Sequence, residues 1–510
     1  MSSNRSTLVA KNTLMLYLRM GITMFVSIYT SRIVLNTLGV VDYGINNVVG
    51  GAVTFLTFLV YSMNTATQRF LNVAMGKGSP EQVQEVFSAS VCLHLIILAV
   101  VLVVGEVVGL WLLWNKLVIP PERMQAAFWL FQFTMVSTCT AILKIPYSAL
   151  VIAHERMGIY AWLAILDTAL NLLVAGLLIV SPADKLITFG FLTMCTFLIN
   201  RLLYTLYCRR NFPDCRFSLR FPRSLFKEMI SFAGWDLFGV FAWACATQGG
   251  TILLNMFFGP AVNAARGIAG TVLGAVKGFS TNFTTALNPA ITKAYAAGDH
   301  AYMTRLMYSG SKLVFVLLFT IMLPLFIRAP YVLELWLKLV PEYSVPFVRI
   351  LLGQTLVLSM WAPLFIVGLA TGRIRSFGFL TAMLNIMQLP VAYAVLRYGV
   401  SPIIAVACVG IWEVMAYSIQ LYKLGRLVNF RYLSYIRHVQ VPAVGVLLLV
   451  GGAGWWISQQ LEPTFISLIL LVGCTTILSL SMAYALLLDS KERSFIQARA
   501  AQMWEKVRRK

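Results

Sequence analysis

Along two otherwise apolar segments, small or polar residues recur in steps of three and four. In the first segment they are Gly50, Thr54, Thr57, Tyr61, Asn64, Gln68 and Asn72; in the second they are Asn263, Arg266, Gly270, Lys277, Thr281, Thr284 and Asn288. That spacing predicts one helical face for each set. In a bilayer such a face must meet protein or water, because hydrocarbon satisfies no hydrogen bond. Arg266 and Lys277 lie about three turns apart and so point the same way. Their chemistry is anion binding: a guanidinium matches phosphate oxygens bidentately, and an ammonium adds a mobile point charge. The Asn, Thr, Tyr and Gln side chains of the two faces suit sugar hydroxyls.

Eight basic residues are expected at membrane depth: Arg19, Arg32, Arg69, Lys144, Arg201, Arg266, Lys277 and Arg349. Only Glu106, Asp167, Asp236 and Glu413 oppose them. A charge at that depth costs roughly 2.5–3.5 kcal/mol unless it finds water or a partner. Four acids do not neutralise eight bases, so a wet, positive central cavity is expected. Arg19 shares a face with Thr23, Ser27 and Thr30. Arg32 lies about 140° from Arg19 on an ideal helix, so both reach a lumen only if that helix bends; its other reading is an interface anchor near Gly39. Arg69 and Arg201 sit near predicted span ends, where long side chains snorkel to the interface. The substrate-binding candidates are Arg19, Arg32, Asn64, Arg266, Lys277 and Arg349. Asp167 and Asp236 are candidates for carrying a coupling proton or sodium ion, with a fixed ion pair as the alternative.

The chain that must position these groups has 510 residues, 59% of them hydrophobic and 12% charged. Its mean hydropathy is +0.79. This composition indicates an all-α, polytopic membrane protein. About fourteen candidate spans are expected, or twelve or thirteen where the polar ones score weakly, near 12–37, 45–74, 87–114, 124–152, 158–181, 186–208, 226–257, 262–296, 307–329, 345–371, 376–397, 401–425, 438–459 and 464–488. The formal charge is +21. With an even span count, 26 basic residues fall on the side of the termini and 6 on the other. The positive-inside rule then places both termini in the cytoplasm. It also accounts for the charge by topology and contact with membrane lipids rather than by nucleic acid. The first fifteen residues lack a cleavable signal pattern, so the first span is expected to be retained.

The second half echoes the first. Leu35-Asn36 before Gly39 resembles Leu254-Asn255 before Gly259, Ser62-Met63-Asn64 resembles Ser280-Thr281-Asn282, and Gly78 matches Gly298. Near-constant offsets predict two duplicated six-span bundles. The expected division is a first bundle at 1–208, a basic linker at 209–225, a second bundle at 226–425, two further spans at 426–489, and a basic, amphipathic tail at 490–510.

Enzyme chemistry is not expected. There is no D-x-D, paired His or Walker-type G-x-x-x-x-G-K-[ST] pattern. Eight cysteines without C-x-x-C spacing and four scattered histidines give neither a disulfide framework nor a metal site. No catalytic residue, metal or cofactor is expected.

The stretch Ser31-Arg32-Ile33-Val34-Leu35-Asn36-Thr37-Leu38-Gly39-Val40-Val41-Asp42-Tyr43-Gly44 resembles the SR-x-LG-x-x-DYG signature of the polysaccharide transporters. These are the Wzx-type flippases of the multidrug/oligosaccharidyl-lipid/polysaccharide (MOP) superfamily. Leu35-Asn36-Thr37 is an insertion relative to that spacing. The resemblance implies the MOP fold, with spans one, two, seven and eight lining a cavity. It implies outward translocation of an undecaprenyl-pyrophosphate-linked oligosaccharide across a bacterial inner membrane by alternating access, with proton or sodium coupling as in relatives. Polysaccharide polymerase and chain-length machinery are candidate partners of a monomeric transporter. The alternative functions are a peptidoglycan-precursor flippase and a multidrug or cation antiporter of the same fold.

Overall fold

In a bilayer the backbone must satisfy its own hydrogen bonds, so long apolar runs become helices. The structure, a computed structural model, describes residues 2–76, 79–218, 222–371, 374–428, 430, 432–490, 492–494 and 497. The side chains of residues 2–20, 60–62, 65, 232, 233, 235, 236, 282, 285, 286, 369 and 374–376 lie outside that description.

The first helices are α1 (Ser2–Phe55), α2 (Phe58–Gly76), α3 (Pro80–Val104), α4 (Leu110–Asn115), α5 (Met124–Ala153), α6 (Met157–Val180) and α7 (Lys185–Asn211). After the linker come α8 (Arg223–Ala244), α9 (Gly250–Phe258), α10 (Pro260–Ala296), α11 (His300–Ile327), α12 (Ala329–Leu337), α13 (Ser344–Ser359) and α14 (Ala362–Ala370). Then follow α15 (Ile374–Arg397), α16 (Pro402–Val428), α17 (Tyr432–Tyr435), α18 (Val441–Gln459) and α19 (Phe465–Met482). Single π-turns at Gly105–Gly109 and Cys245–Gly249 join α3 to α4 and α8 to α9.

The duplication is visible in the backbone. Inside α1, Gly39 adopts φ 78° and ψ 173°. Between α9 and α10, Gly259 adopts φ 79° and ψ −173°. Both values lie where a side chain is strained and glycine is not, which explains why glycine stands at both places. Each kink separates two successive spans, as the repeat requires.

One expectation is met in part and one is corrected. Among the described residues, eleven helices are long and apolar enough to cross a membrane, or twelve if Ser344–Ser359 and Ala362–Gly368, bent by 44°, form one span. α2 and α10, which carry the polar faces, are not in that set, so the exact count of fourteen is not confirmed by this measure. The first polar face is also not continuous. It is broken between α1 and α2, where Thr57 donates both its N–H (3.0 Å) and its hydroxyl (2.6 Å) to the Thr54 carbonyl.

The chain forms two compact units. The first comprises Met1–Thr271, Leu337–Ser344 and Ala382–Ala405. Its apolar centre includes Leu71, Val86, Phe87, Leu150, Tyr204, Cys208, Phe212 and Cys215. Phe212 and Cys215 belong to the predicted linker, whose first part packs into the bundle: the Ser88 hydroxyl donates to the Arg216 carbonyl (3.5 Å) and accepts from the Ser218 N–H (3.0 Å). His154 stacks on Phe212 at 4.1 Å, and burial holds its pKa below the ordinary value against the pull of Asp214.

On the loop before α5, Arg123 clamps two acids. Its Nε and Nη2 donate to the Asp42 carboxylate at 2.8 and 2.6 Å, and Nη1 and Nη2 donate to Asp184 at 2.6 and 3.2 Å. Asp184 also caps α7 by accepting from the Leu186 and Ile187 N–H groups. Asp42, the acid of the sequence signature, therefore ties the Gly39 kink to the α4–α5 loop and to α7. The clamp is part-buried, with Arg123 25% exposed, so its strength lies between that of surface and buried pairs. Arg123→Ala should destabilise the fold by about 2 kcal/mol. The Arg123 hydrogen bonds hold the Asp184 pKa below the ordinary carboxylate value. A depressed folded pKa contributes stability above the unfolded value of about 3.9 that is lost as pH falls through the folded one. In thermal melts, the gap between wild type and Arg123→Ala should be full at pH 7 and narrow below about pH 4.

The second unit comprises Val272–Trp336, Val345–Thr381 and Val406–Lys510. Lys312 on α11 is 1% exposed and bridges Asp489 (3.1 Å) and Glu492 (3.3 Å), two residues at the foot of the C-terminal tail. Sequence counting places Lys312 among the topological surface charges; the structure buries it in an ion-paired cluster, because two acids 177 and 180 residues away reach it. At the break between α13 and α14, the freed Met360 carbonyl accepts from Ser311 and from Tyr435, both at 2.7 Å.

Candidate functional site

The face of α10 is graded along its length. Asn263 is fully buried, Arg266 is half-buried, and Gly270, Gly274, Lys277, Thr281 and Asn288 are exposed. Helical spacing puts these positions on one side, so one polar face is closed near Gly259 and open further along. Asn263 therefore departs from the expectation of a shared open face: its amide donates to the Thr251 carbonyl of α9 at 3.1 Å. Arg266 and Lys277 remain on the accessible part, each in electrostatic or hydrogen-bonding contact with neighbours.

The other predicted substrate residues fare differently. On α2, Asn64 is half-buried and accepts from the Gln68 amide one turn away (3.1 Å). Arg32 on α1 is half-buried and has no hydrogen-bond or ion-pair partner among the described residues. The Arg19 side chain lies outside the described residues. Arg349 on α13 donates through Nε and Nη2 to the Phe326 and Ile327 carbonyls at 3.1 and 3.3 Å. Those carbonyls end α11, where a cation satisfies the unpaired acceptors and the helix dipole. Its guanidinium thus has a structural task.

Of the two coupling candidates, Asp236 lies outside the described side chains. Asp167, on α6, sits in a polar nest inside the first unit. One of its carboxylate oxygens accepts from the Asn200 amide of α7 at 3.0 Å. Asn200 is 6% exposed, and its own carbonyl oxygen is buried with no donor among the described residues. The neighbouring Thr168 hydroxyl meets that of Thr23 on α1 at 3.2 Å. Lys144 of α5 feels the Asp167 charge while its ammonium lies 5.5 Å from the Tyr204 ring centroid. A carboxylate beside an unsatisfied amide oxygen attracts a proton or a small cation. Asn200 was missed because a lone Asn in an apolar span has no spacing signal. The remaining intramembrane acids pair with carboxamides: Glu106 accepts from Gln132 at 3.1 Å, and Glu413 accepts from Gln354. Among the described residues no His, Cys, Asp and Glu group is arranged to hold a metal ion.

With α1, α2 and α10 carrying the polar faces, comparison with known proteins is decisive. The model of the polysaccharide biosynthesis protein family matches residues 9–295. The chain belongs to that family. No curated protein matches it significantly. Its fold is that of the MOP superfamily. The lipid II flippase MurJ in an inward closed conformation is similar with a TM-score of 0.66 at 11% identity, over 93% of this chain and 98% of that one. An inward-facing multidrug resistance MATE family transporter of the MOP superfamily gives 0.63 at 12% identity, over 81% and 99%. A MOP superfamily transporter from Pyrococcus furiosus, described as having a binding pocket of reverse polarity, gives 0.57 at 14% identity, over 83% and 96%. This family member is a multi-pass membrane protein.

Proposed function

We propose that the protein is a flippase that carries an undecaprenyl-pyrophosphate-linked oligosaccharide across the bacterial inner membrane by alternating access, without catalysing a covalent step. The graded, basic face of α10 supports this reading most: it sets Arg266 and Lys277 beside small and hydroxyl-bearing residues in a member of a polysaccharide family. Arginine and lysine hold the pyrophosphate, and Asn and Thr side chains receive the sugar hydroxyls. Arg32 serves the same anion from α1. A cationic drug is disfavoured by the same field. The asymmetry of basic residues supports cytoplasmic termini.

Asp167 is proposed to bind the coupling proton or sodium ion, using the unsatisfied Asn200 oxygen as a second acceptor. Purified protein in proteoliposomes loaded with the lipid-linked oligosaccharide tests both readings. Glycan should move from one leaflet to the other, as read by an impermeant oxidant, and an imposed ion gradient should accelerate it. Asp167→Asn should remove at least nine tenths of the gradient-driven rate while leaving substrate binding intact. Movement of a cationic dye with no movement of glycan would refute the flippase reading; an unchanged gradient response in Asp167→Asn would refute the coupling role.

A further inference from the structure

We propose that Asn255 and the peptide of Val118 form a latch that must release in each transport cycle; the inference rests on the alternating-access reading. Asn255 lies in the last turn of α9, four residues before the Gly259 kink, and is fully buried. Its side-chain oxygen accepts from the Val118 N–H at 2.8 Å, and its amide donates to the Val118 carbonyl at 3.4 Å. Both backbone polar groups of Val118 are thus held by one side chain from the second repeat.

The loop that carries Val118 is itself immobilised within the first repeat. Leu117 and Ile119 are each 8% exposed, and Arg123 ties the loop's far end to Asp42 and Asp184. The loop is thus tied to the first repeat, and Asn255 is the partner that the second repeat contributes.

The same end of the first unit is closed by close contacts at two glycines. A Cβ built on Gly44 would lie 1.9 Å from the Pro260 carbonyl oxygen. One built on Gly267 would lie 2.5 Å from the Asn47 side-chain oxygen. Pro260, Ala264 and Gly267 follow each other at helical spacing on α10, as Gly44 and Asn47 do on α1. The two glycine-kinked hairpins therefore meet face to face, with Ala264, fully buried, between the contacts. Parting the hairpins here breaks the Asn255–Val118 bonds and leaves the Arg123 clamp intact. Water entering the gap re-satisfies both partners, so the bond pair is reversible. Among the described contacts at this end it is a polar link between the repeats that lies outside the substrate-binding face.

The test uses two readouts on full-length protein in proteoliposomes. Ala264→Cys should be shielded from an impermeant maleimide, and adding Asn255→Ala should raise its labelling at least fivefold. Equal labelling in both backgrounds would overturn the latch. This arm needs no transported substrate, so it stands apart from any failure of the flippase reading. In the second arm Asn255 is kept, so a folding defect of Asn255→Ala does not decide the matter. Asn47→Cys with Gly267→Cys is oxidised by copper phenanthroline and oxygen, two thiols giving one disulfide. Glycan movement should stop on oxidation and return with reductant. A cross-linked protein that moves glycan at the reduced rate would show that this end need not open.

Discussion

Gly44→Ala is expected to cut transport at least tenfold and to lower stability by about 3 kcal/mol. The added methyl would lie 1.9 Å from the Pro260 oxygen, 2.5 Å from its carbonyl carbon and 3.1 Å from its Cα. These three nearest atoms are all backbone, so no rotamer change relieves the clash and one helix must retreat. Overpacking of this kind costs about 1–3 kcal/mol, and the retreat opens the end that Asn255 holds closed. Gly176→Ala on α6, where nothing lies within 4 Å of the new atom, is the control. It replaces glycine in a helix interior and should change stability by less than about 1 kcal/mol, in the favourable direction. Melting temperature, together with maleimide labelling of Ala264→Cys, checks both variants. A Gly44→Ala protein as stable and as shielded as wild type would show that the helices are not in contact there.

Arg266→Ala is expected to reduce glycan transport roughly a hundredfold while leaving the melting temperature within a few degrees of wild type. A bidentate, charge-assisted contact with a pyrophosphate is worth about 3 kcal/mol, which is two decades of affinity. Arg266→Lys keeps the charge and loses the fork, so about a tenth of wild-type transport should remain. A half-buried arginine has neighbours of its own, and the competing role is structural. If Arg266 neutralises an acid on α8, its removal strands that charge at a cost of about 3–5 kcal/mol. A large fall in melting temperature, rescued by Asp236→Asn, would move Arg266 from substrate binding to the fold.

The parts of this architecture that were legible in the sequence are those written in local spacing. Apolar runs located the helices, and the paired glycines at 39 and 259 located the duplication. The polar residues of α10 marked a face before any coordinate did. What stayed hidden depends on partners far apart in the chain. Arg123 and Asp42 are 81 residues apart, and Arg123 and Asp184 61; in the sequence they look like unrelated loop charges. Lys312 counted as a surface charge because nothing local announces Asp489 and Glu492. Arg349 looked like a cavity cation, since a carbonyl at a helix end carries no residue-type signal. Asn263 fitted the polar spacing of α10 yet is buried, because periodicity gives the side of a helix and not how far along it a neighbour covers that side. The signature residues Asp42, Tyr43 and Gly44 now have separate physical reasons: a clamp, a buried ring and a helix contact.

The most direct test of the flippase reading is deletion of the gene followed by mass spectrometry of undecaprenyl-linked glycans and a probe of their leaflet. The account predicts that complete lipid-linked oligosaccharide accumulates on the cytoplasmic leaflet, and that wild-type protein clears it while the Arg266→Ala variant does not. Unchanged glycan intermediates together with increased sensitivity to cationic drugs would contradict it.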